Sequence, residues 1–157
     1  MTQSMEQYVT LGLGREVFAV PVQAVREILD MRPMTAIPEA PAYFGGLIDV
    51  RNESIPVIDL RRKLGLPEVA VTESSRILVT AVAGAGRELV LGLVADRVIE
   101  VIALEAAAVE AAPDIGVRWR SDYIRGIGRN SQGFVIILDL ARLFATEQQM
   151  FIGTEAA

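Results

Sequence analysis

The 157-residue chain contains neither cysteine nor histidine. Without cysteine it has no disulfide framework and no thiolate ligands for a metal. Without histidine it also cannot build a Ser-His-Asp triad, a Cys-His pair or an ordinary zinc site. We therefore assign no catalytic residue, no metal ligand and no cofactor to this sequence.

Positive charge and long apolar runs are also scarce. The 15 Lys and Arg are outnumbered by 20 Asp and Glu, and the net charge of −5 lacks the basic excess that nucleic acid demands. The longest apolar runs, Ile77–Gly86 and Leu89–Ala95, fall short of the ~20 residues of a membrane span. The first residues, MTQSMEQYVTL, do not have the pattern of a signal peptide. We expect a soluble cytosolic protein without a nucleic-acid partner or membrane insertion.

The chain does contain a segment that it uses twice. Tyr43–Gly65 and Tyr123–Phe144 each have a Tyr, a Gly three residues later, two apolar runs around a polar turn, and the word Asp-Leu-x-Arg. A second pair, Gly14–Val25 and Gly86–Val98, matches at an offset of 72 residues, against about 80 for the first pair. Two co-linear duplications predict two similar small β units, because many short strands with Gly-rich turns favour barrels or a sandwich.

The elements of the first half of the first unit are predicted from hydrophobic periodicity and from the positions of the prolines. Met5–Gly14 and Val17–Val20 read as strands. Pro21 suits the first position of a helix, and the spacing of the apolar residues after it predicts a short amphipathic helix over Val22–Asp30. The proline-rich stretch Met31–Pro41 is predicted to be an extended connector.

The second half of each unit is predicted to be a hairpin followed by one helical turn. Leu47–Arg51 and Ile55–Ile58 flank the predicted turn Asn52-Glu53-Ser54. Asp59 is placed to cap a turn at Leu60–Leu64, and Asp139 repeats this arrangement. Gly65 can adopt the left-handed conformation that ends such a turn. Further strands are predicted at Arg76–Ala83, Glu88–Val94 and Arg97–Ile102, whereas Ala103–Ala112 fits a helical turn or a loop.

Four sequence segments in a fixed order resemble one known family, the CheW chemotaxis coupling proteins. They are FAVPVQAVREIL, IPEAPAYFGGLIDVRNESIPVIDLRRKLG, LVLGLVADRVIEV and YIRGIGRNSQGFVIILDLARL, and the resemblance covers about Gln7–Ala145. It implies a mainly β fold of two five-stranded SH3-like β-barrels side by side, with short helices and an apolar seam between the barrels. We expect one CheW-like domain over residues 1–157, with barrels at about 15–70 and 71–146, and a strand at 7–14 that could pair with either.

The resemblance also implies a function and partners. Such a protein is a non-enzymatic adaptor that links the cytoplasmic tip of a methyl-accepting chemoreceptor to the regulatory domain of the CheA histidine kinase. It would lie in the cytoplasm, at receptor arrays on the inner face of the membrane. The lack of histidine is then expected, because the adaptor performs no chemistry.

Six residues carry over to partner binding from this resemblance. Val25, Glu27 and Ile28 would lie on the presumed helix, beside the receptor-facing groove. Gly46 and Arg51 match a Gly-x-x-x-x-Arg hairpin, and Asn52 stands where the family has Gly. Asparagine accepts a positive φ more readily than most residues, so the turn can survive.

Each of these residues also has a structural interpretation. Arg51 could be a solvated charge at a strand end, and Glu27 a residue of a polar face. Val25 and Ile28 could simply be buried, as apolar residues at helical spacing usually are. The two Gly-x-Gly strings, Gly12–Gly14 and Gly126–Gly128, are predicted to be β turns or bulges and not phosphate cradles.

Two other functions stay open at this point. One is a CheW-like adaptor serving a non-flagellar receptor array, in twitching or development. The other is a small-ligand binder or a carboxylate-based enzyme acting in the cleft between the barrels, which requires a deep polar pocket. The Asp residues are scattered, mostly at turns or at the ends of apolar runs, where caps and turn formers are common.

Overall fold

The alternating apolar segments form ten strands in the part of the chain that the structure describes, residues 5–83, 88–111, 123–131 and 133–147. The structure is a computed structural model. The strands are β1 Met5–Leu13, β2 Glu16–Pro21, β3 Val25–Asp30, β4 Phe44–Val50, β5 Glu53–Asp59, β6 Arg76–Ala83, β7 Glu88–Ala95, β8 Arg97–Glu105, β9 Ile124–Asn130 and β10 Gly133–Leu138. Two short helices, α1 Leu60–Lys63 and α2 Leu140–Leu143, follow β5 and β10. Among the described residues, no helix is long and apolar enough to cross a membrane.

The strands form two five-stranded sheets that lie side by side. The first sheet has the order β8-β1-β2-β10-β9 and the second has the order β3-β6-β7-β5-β4. The predicted mainly β fold is confirmed, although the two units are open sheets and not closed barrels. The strand at the N-terminus, β1, pairs with β2 and β8 and so belongs to the first sheet.

The sheets exchange strands across the boundary expected near residue 70. The first sheet combines β1 and β2 with the last three strands, and the second combines β3, β4 and β5 with β6 and β7. The exchange follows from the pairing of β2 with β10 and of β5 with β7, which are the two parallel pairs among the described strands. Each sheet is therefore completed by both halves of the sequence.

The duplication is visible in the strand order and in the hydrogen bonds. Strands β1 to β5 correspond in order to β6 to β10, and exchanging each strand for its counterpart converts one sheet order into the other. The Asp59 amide donates to the Tyr43 carbonyl at 2.7 Å, and the Asp139 amide donates to the Tyr123 carbonyl at the same distance. In the parallel pairs, Ala19 of β2 lies opposite Ile137, and Gly92 of β7 lies opposite Val57. Because Val57 and Ile137 are equivalent positions of the two hairpins, Ala19 and Gly92 are equivalent too, at an offset of 73 residues. The sequence alignment at an offset of 72 is therefore one residue out of register.

The helical turns after the hairpins form as expected from their capping residues. The Asp59 carboxylate accepts from the Arg61 amide at 3.1 Å, and the Asp139 carboxylate accepts from the Arg142 amide at 3.1 Å. Gly65 has a φ of 77°, the left-handed conformation predicted for it. The Ala-rich stretch contains a single 3-10 turn, Ala106–Ala108.

The predicted helix over Val22–Asp30 is wrong. A 3-10 turn at Val22–Ala24 leads directly into strand β3, which pairs with β6. The register shifts between Val25 and Glu27, so that Arg26 is the extra residue of a β-bulge. The bulge places Val25 and Ile28 on one face although they are three residues apart, and it is this spacing that imitated a helix.

The hairpin turn also differs from the prediction. Strand β5 already begins at Glu53, and the turn consists of Arg51 and Asn52 alone. Their φ angles are 50° and 65°, as a two-residue turn of type I′ requires. Asn52 does adopt a positive φ, as expected, and Arg51 adopts one as well.

Alternate residues of the strands pack into separate apolar cores. Along β7, Leu91 and Leu93 face the first sheet, whereas Val90 and Val94 pack inside the second sheet. We call the shared core between the sheets the seam. It comprises Val9, Leu11, Leu13, Phe18, Val20, Ile58, Leu60, Leu78, Val82, Leu89, Leu91, Leu93, Ala95, Leu138, Leu140, Leu143 and Phe144. The apolar seam predicted between two units is thus present.

A buried ion pair, which we call the clasp, joins α1 to both sheets. The Arg61 guanidinium donates to both carboxylate oxygens of Asp96, at 2.8 and 2.6 Å, and to the Pro67 carbonyl at 2.8 Å. Asp96 follows β7, and its carboxylate also accepts from the Gly14 amide at the β1–β2 turn, at 2.7 Å. These donors, Arg61 above all, lower the pKa of the Asp96 carboxyl.

The clasp predicts a loss of stability in acid. Because the folded state lowers the pKa of Asp96, its stabilisation is present above the unfolded pKa of about 3.9 and is lost as pH falls through the folded value. In urea unfolding at a series of pH values, the stability difference between the wild type and Asp96→Asn should therefore stay nearly constant from neutral pH down to about 4 and shrink below it. A difference that does not shrink between about pH 4 and about pH 2 would contradict this.

Candidate functional site

The β4–β5 turn brings Arg51 to the opposite edge of its own sheet. Strands β3 and β4 are the two edges of the second sheet, yet the Arg51 guanidinium forms an ion pair with the Glu27 carboxylate of β3. The sheet therefore curls and brings its two edges close together. The ion pair between Arg51 and Glu27 spans the gap that remains between them. The Arg51 side chain stays 77% exposed, whereas that of Glu27 is 24% exposed.

A small polar hollow surrounds this ion pair. It has a volume of about 340 Å³. Its lining residues are Arg26, Glu27, Val50, Arg51, Glu53, Ile55 and Val79. The floor is apolar and the rim is charged, an arrangement that suits the side chains of a protein partner better than a buried reaction centre.

Strand β3 offers an apolar edge beside the hollow. Val25 is half-buried and packs against the seam, so its first role is structural. Ile28 pairs with Leu78 of the seam but is 44% exposed, and β3 is an edge strand among the described strands of its sheet. Ile28 is therefore available for contact, while Val25 holds the strand in place.

Gly46 supports the hairpin from the other side. It is buried with a φ of 139°, and a Cβ atom there would lie 2.7 Å from the Thr35 carbonyl oxygen. Thr35 and Leu47 exchange two backbone hydrogen bonds of 2.9 and 2.8 Å at this place. The missing side chain lets the connector lie against β4, and so fixes the base of the hairpin that carries Arg51.

The second unit repeats this support without repeating the site. A Cβ atom on Gly126 would lie 2.9 Å from the Glu110 carbonyl oxygen, and Glu110 pairs with Ile127 as Thr35 pairs with Leu47. The guanidinium of Arg129 lies 4.7 Å from the centre of the exposed Phe134 ring in the second hairpin. The two hairpins therefore share this support at their base and differ in the groups that they display.

Together, the six residues chosen from the sequence fall into three groups. Glu27 and Arg51 line the hollow, Val25 and Ile28 lie on the seam-facing side of β3, and the hairpin itself contains Asn52 at its turn and Gly46 at its base. Sequence reasoning missed Arg26 and Glu53, which complete the charged rim. Their signal was their position next to Glu27 and to the Arg51-Asn52 turn, once β3 is recognised as a strand.

Two further grooves bear on the enzyme hypothesis. They measure about 400 and 530 Å³ and share Pro21, Gln23 and Arg125. Their carboxylates have structural partners: Glu6 pairs with Arg125 at 3.4 Å, Glu88 pairs with Arg26 at 2.9 Å, and Asp139 caps α2. Within the described ranges, no cluster of three potential metal ligands is found. Each described carboxylate that lines the two grooves is therefore engaged by a structural partner.

Comparison with known proteins gives consistent similarities over nearly the whole chain. A family model described as "CheW-like domain" matches residues 7–148. The Chemotaxis protein CheW of Treponema pallidum (strain Nichols) is 31% identical over 142 residues, which cover 90% of this chain and 84% of that protein. Protein FrzA of Myxococcus xanthus is 26% identical over 146 residues, covering 92% and 88% of the two chains.

A solved structure has the same fold. The crystal structure of the scaffolding protein TtCheW from Thermoanaerobacter tengcongensis superposes with a TM-score of 0.79 at 28% sequence identity. The superposition covers 91% of this chain and 90% of that one.

Proposed function

Because this chain belongs to the CheW-like family, we propose that it is a non-enzymatic adaptor that couples methyl-accepting chemoreceptors to a CheA-type histidine kinase. The family match over residues 7–148 supports this proposal, as do relatives named as chemotaxis proteins and a solved relative named as a scaffolding protein. The adaptor would be one domain that acts in the cytoplasm, at receptor arrays. Its partners would be the receptor's cytoplasmic tip and the kinase's regulatory domain.

The observation that carries the proposal is the exposed Arg51 on a conformationally fixed turn. Arginine is enriched among the residues that dominate binding at protein interfaces, and it recognises carboxylates through two parallel hydrogen bonds. Ile28 adds an exposed apolar contact on the strand that also carries Glu27, the ion-pair partner of Arg51. An acidic and partly apolar surface on a protein partner matches this combination.

Coupling requires separate contacts and no chemical step. A rigid scaffold transmits a change at one partner to the other when the two states of the receptor differ in their contacts with it. Each contact would be modest, about 800–1,200 Å² in total with an affinity near 1 μM, or about −8 kcal/mol. Many weak contacts in an array then supply the strength of the assembly.

The test is Arg51→Glu in the full chain. Titration with a receptor-tip fragment and, separately, with the kinase regulatory domain should show at least about tenfold weaker binding to one of them, because the charge reversal replaces attraction by repulsion. The thermal midpoint should stay nearly unchanged, since Arg51 is mostly exposed. The matched control is Arg129→Glu in the second hairpin. Wild-type binding of both partners by Arg51→Glu would reject the site.

A second candidate keeps the class and changes the pathway. The similarity to Protein FrzA, a relative whose name does not mention chemotaxis, supports an adaptor of a non-flagellar receptor array in twitching or development. The same titration discriminates the two, when it is repeated with receptor tips from each kind of pathway. Preference for a non-flagellar receptor by at least about tenfold, or 1.4 kcal/mol, would favour this candidate.

A further inference from the structure

A buried carboxylate ties the end of the described chain to its first half. The Glu147 side chain is 1% exposed. Its oxygens accept from the Lys63 ammonium at 3.0 and 2.8 Å and from the Tyr43 hydroxyl at 2.6 Å. The Lys63 side chain is itself only 15% exposed, and its ammonium lies 4.5 Å from the centre of the Tyr43 ring. Both donors come from the first half of the chain, Tyr43 just before β4 and Lys63 at the end of α1.

The segment that carries Glu147 belongs to neither sheet. Residues 140–147, which we call the latch, consist of α2 and a second short helical stretch over 145–147. Leu140, Leu143 and Phe144 of the latch insert into the seam. Phe144 also lies 6.0 Å below the Lys63 ammonium. The latch is therefore held by apolar side chains at one end and by an ion pair at the other, without any strand pairing.

These two kinds of attachment have different energies of release. Exposing apolar side chains to water costs the free energy gained by their burial. Opening a buried ion pair costs less, because both ions regain their hydration, and the pair therefore adds little net stability. Segments outside the sheets open at lower free energy than the strands. The end of the latch that carries Glu147 is held by an ion pair. The free energy needed to open this end is therefore lower than it would be if an apolar contact of the same size held it.

We propose that the latch detaches from Lys63 and reattaches to it as one unit, without global unfolding of the protein. This motion regulates the contact between the two sheets. Opening withdraws Phe144 and Leu143 from the seam, where residues of both sheets meet. The relative placement of the sheets then becomes adjustable. One consequence rests on the proposed function: partner faces carried by different sheets would be coupled more loosely when the latch is open.

Amide hydrogen exchange of the isolated full chain tests the motion. The reporting amides are those of Leu143, which donates to Asp139 at 2.9 Å, and Phe144, which donates to Leu140 at 3.0 Å. Lys63→Met leaves the Glu147 carboxylate without its cation, so the protection of these amides should fall about tenfold or more. The amides of Leu78 and Leu91, in the strands of the second sheet, should keep their protection to within about twofold, as expected for a local opening.

A fully apolar variant should act in the opposite direction. In Tyr43→Phe/Lys63→Met/Glu147→Met the latch is closed by apolar contacts of similar size, and no buried polar group is left unpaired. Protection of Leu143 and Phe144 should return at least to the wild-type level. Glu147→Gln, which keeps the shape of the side chain and removes only the charge, should give a smaller decrease than Lys63→Met and serves if Lys63→Met does not fold. Arg26→Met, which removes an exposed ion pair with Glu88, is the control.

Two results would overturn the proposal. One is an equal loss of protection at Leu143, Phe144, Leu78 and Leu91, which would mean that the ion pair only supports global stability. The other is unchanged protection of Leu143 and Phe144 in both Lys63→Met and Glu147→Gln. Because the experiment contains no receptor or kinase, its outcome is independent of whether these partners bind.

Discussion

Gly46→Ala is expected to destabilise the protein by about 3 kcal/mol, which is about 10 °C in thermal midpoint for a chain of this size. A Cβ atom at Gly46 would lie 2.7 Å from the Thr35 carbonyl oxygen and 3.0 Å from the Met34 Cβ atom, and the φ of 139° disfavours any side chain. The connector and β4 must then separate, with loss of the Thr35–Leu47 hydrogen bonds. Urea unfolding followed by circular dichroism measures the change.

Gly65→Ala is the control for this substitution. Gly65 also has a positive φ, 77°, but no atom of a described residue beyond its chain neighbours lies within 4 Å of the position of its Cβ. It should therefore cost only the backbone strain of about 1 kcal/mol. Equal effects of the two substitutions would show that conformational strain, and not the close approach of the connector, makes glycine necessary at Gly46.

Arg61→Met is expected to cost about 3–5 kcal/mol, because it leaves the Asp96 carboxylate partly buried without its cation. The clasp is well satisfied in the folded state, with two hydrogen bonds between Arg61 and Asp96 at 2.8 and 2.6 Å. The substitution also removes the donor to the Pro67 carbonyl. A decrease in thermal midpoint of about 10 °C or more, measured by calorimetry at neutral pH, is the expected result.

The neighbouring residue provides a matched control for the clasp. Arg62 belongs to the same helix, but its ion-pair partners Glu68 and Asp59 are 63% and 30% exposed, so Arg62→Met should cost less than about 1 kcal/mol. A double-mutant cycle of Arg61→Met with Asp96→Asn should give a coupling of at least about 1 kcal/mol. Additive effects of these two substitutions would contradict a direct role of the ion pair.

Features that depend on neighbouring residues could be predicted from the sequence. The Asp59 and Asp139 caps, the left-handed Gly65 and most strands of the two units follow from local chemistry and from a period of two. The duplication was detectable because both units need the same residues for the same hydrogen bonds. Strand β3 was misread because a bulge at Arg26 gives its apolar residues the spacing of a helix.

Features that depend on distant parts of the chain could not be predicted in this way. The local sequences around Phe18 and Ile136 do not indicate that β2 and β10 pair. This pairing decides which strands share a sheet. In the candidate site, the residues came from the resemblance to a family, since no composition or spacing marks a docking surface. The contact of Glu27 with Arg51 requires the curl of the sheet, and the need for glycine at Gly46 requires the Thr35 carbonyl.

The exchange of strands between the two halves also bears on the order in which the protein can be assembled during synthesis. The second sheet has all its strands once residue 95 has left the ribosome, whereas the first sheet needs β10, which ends at Leu138. The ribosome extends the chain towards its C-terminus at about 5–20 residues per second, so β1 and β2 are made before β3 to β7 and still wait for β8 and β10 as their final neighbours. During this interval Val9, Leu11 and Phe18 have only an incomplete seam to cover them. Strands β1 and β2 are thus the part of the fold most dependent on protection from aggregation until β10 has been made.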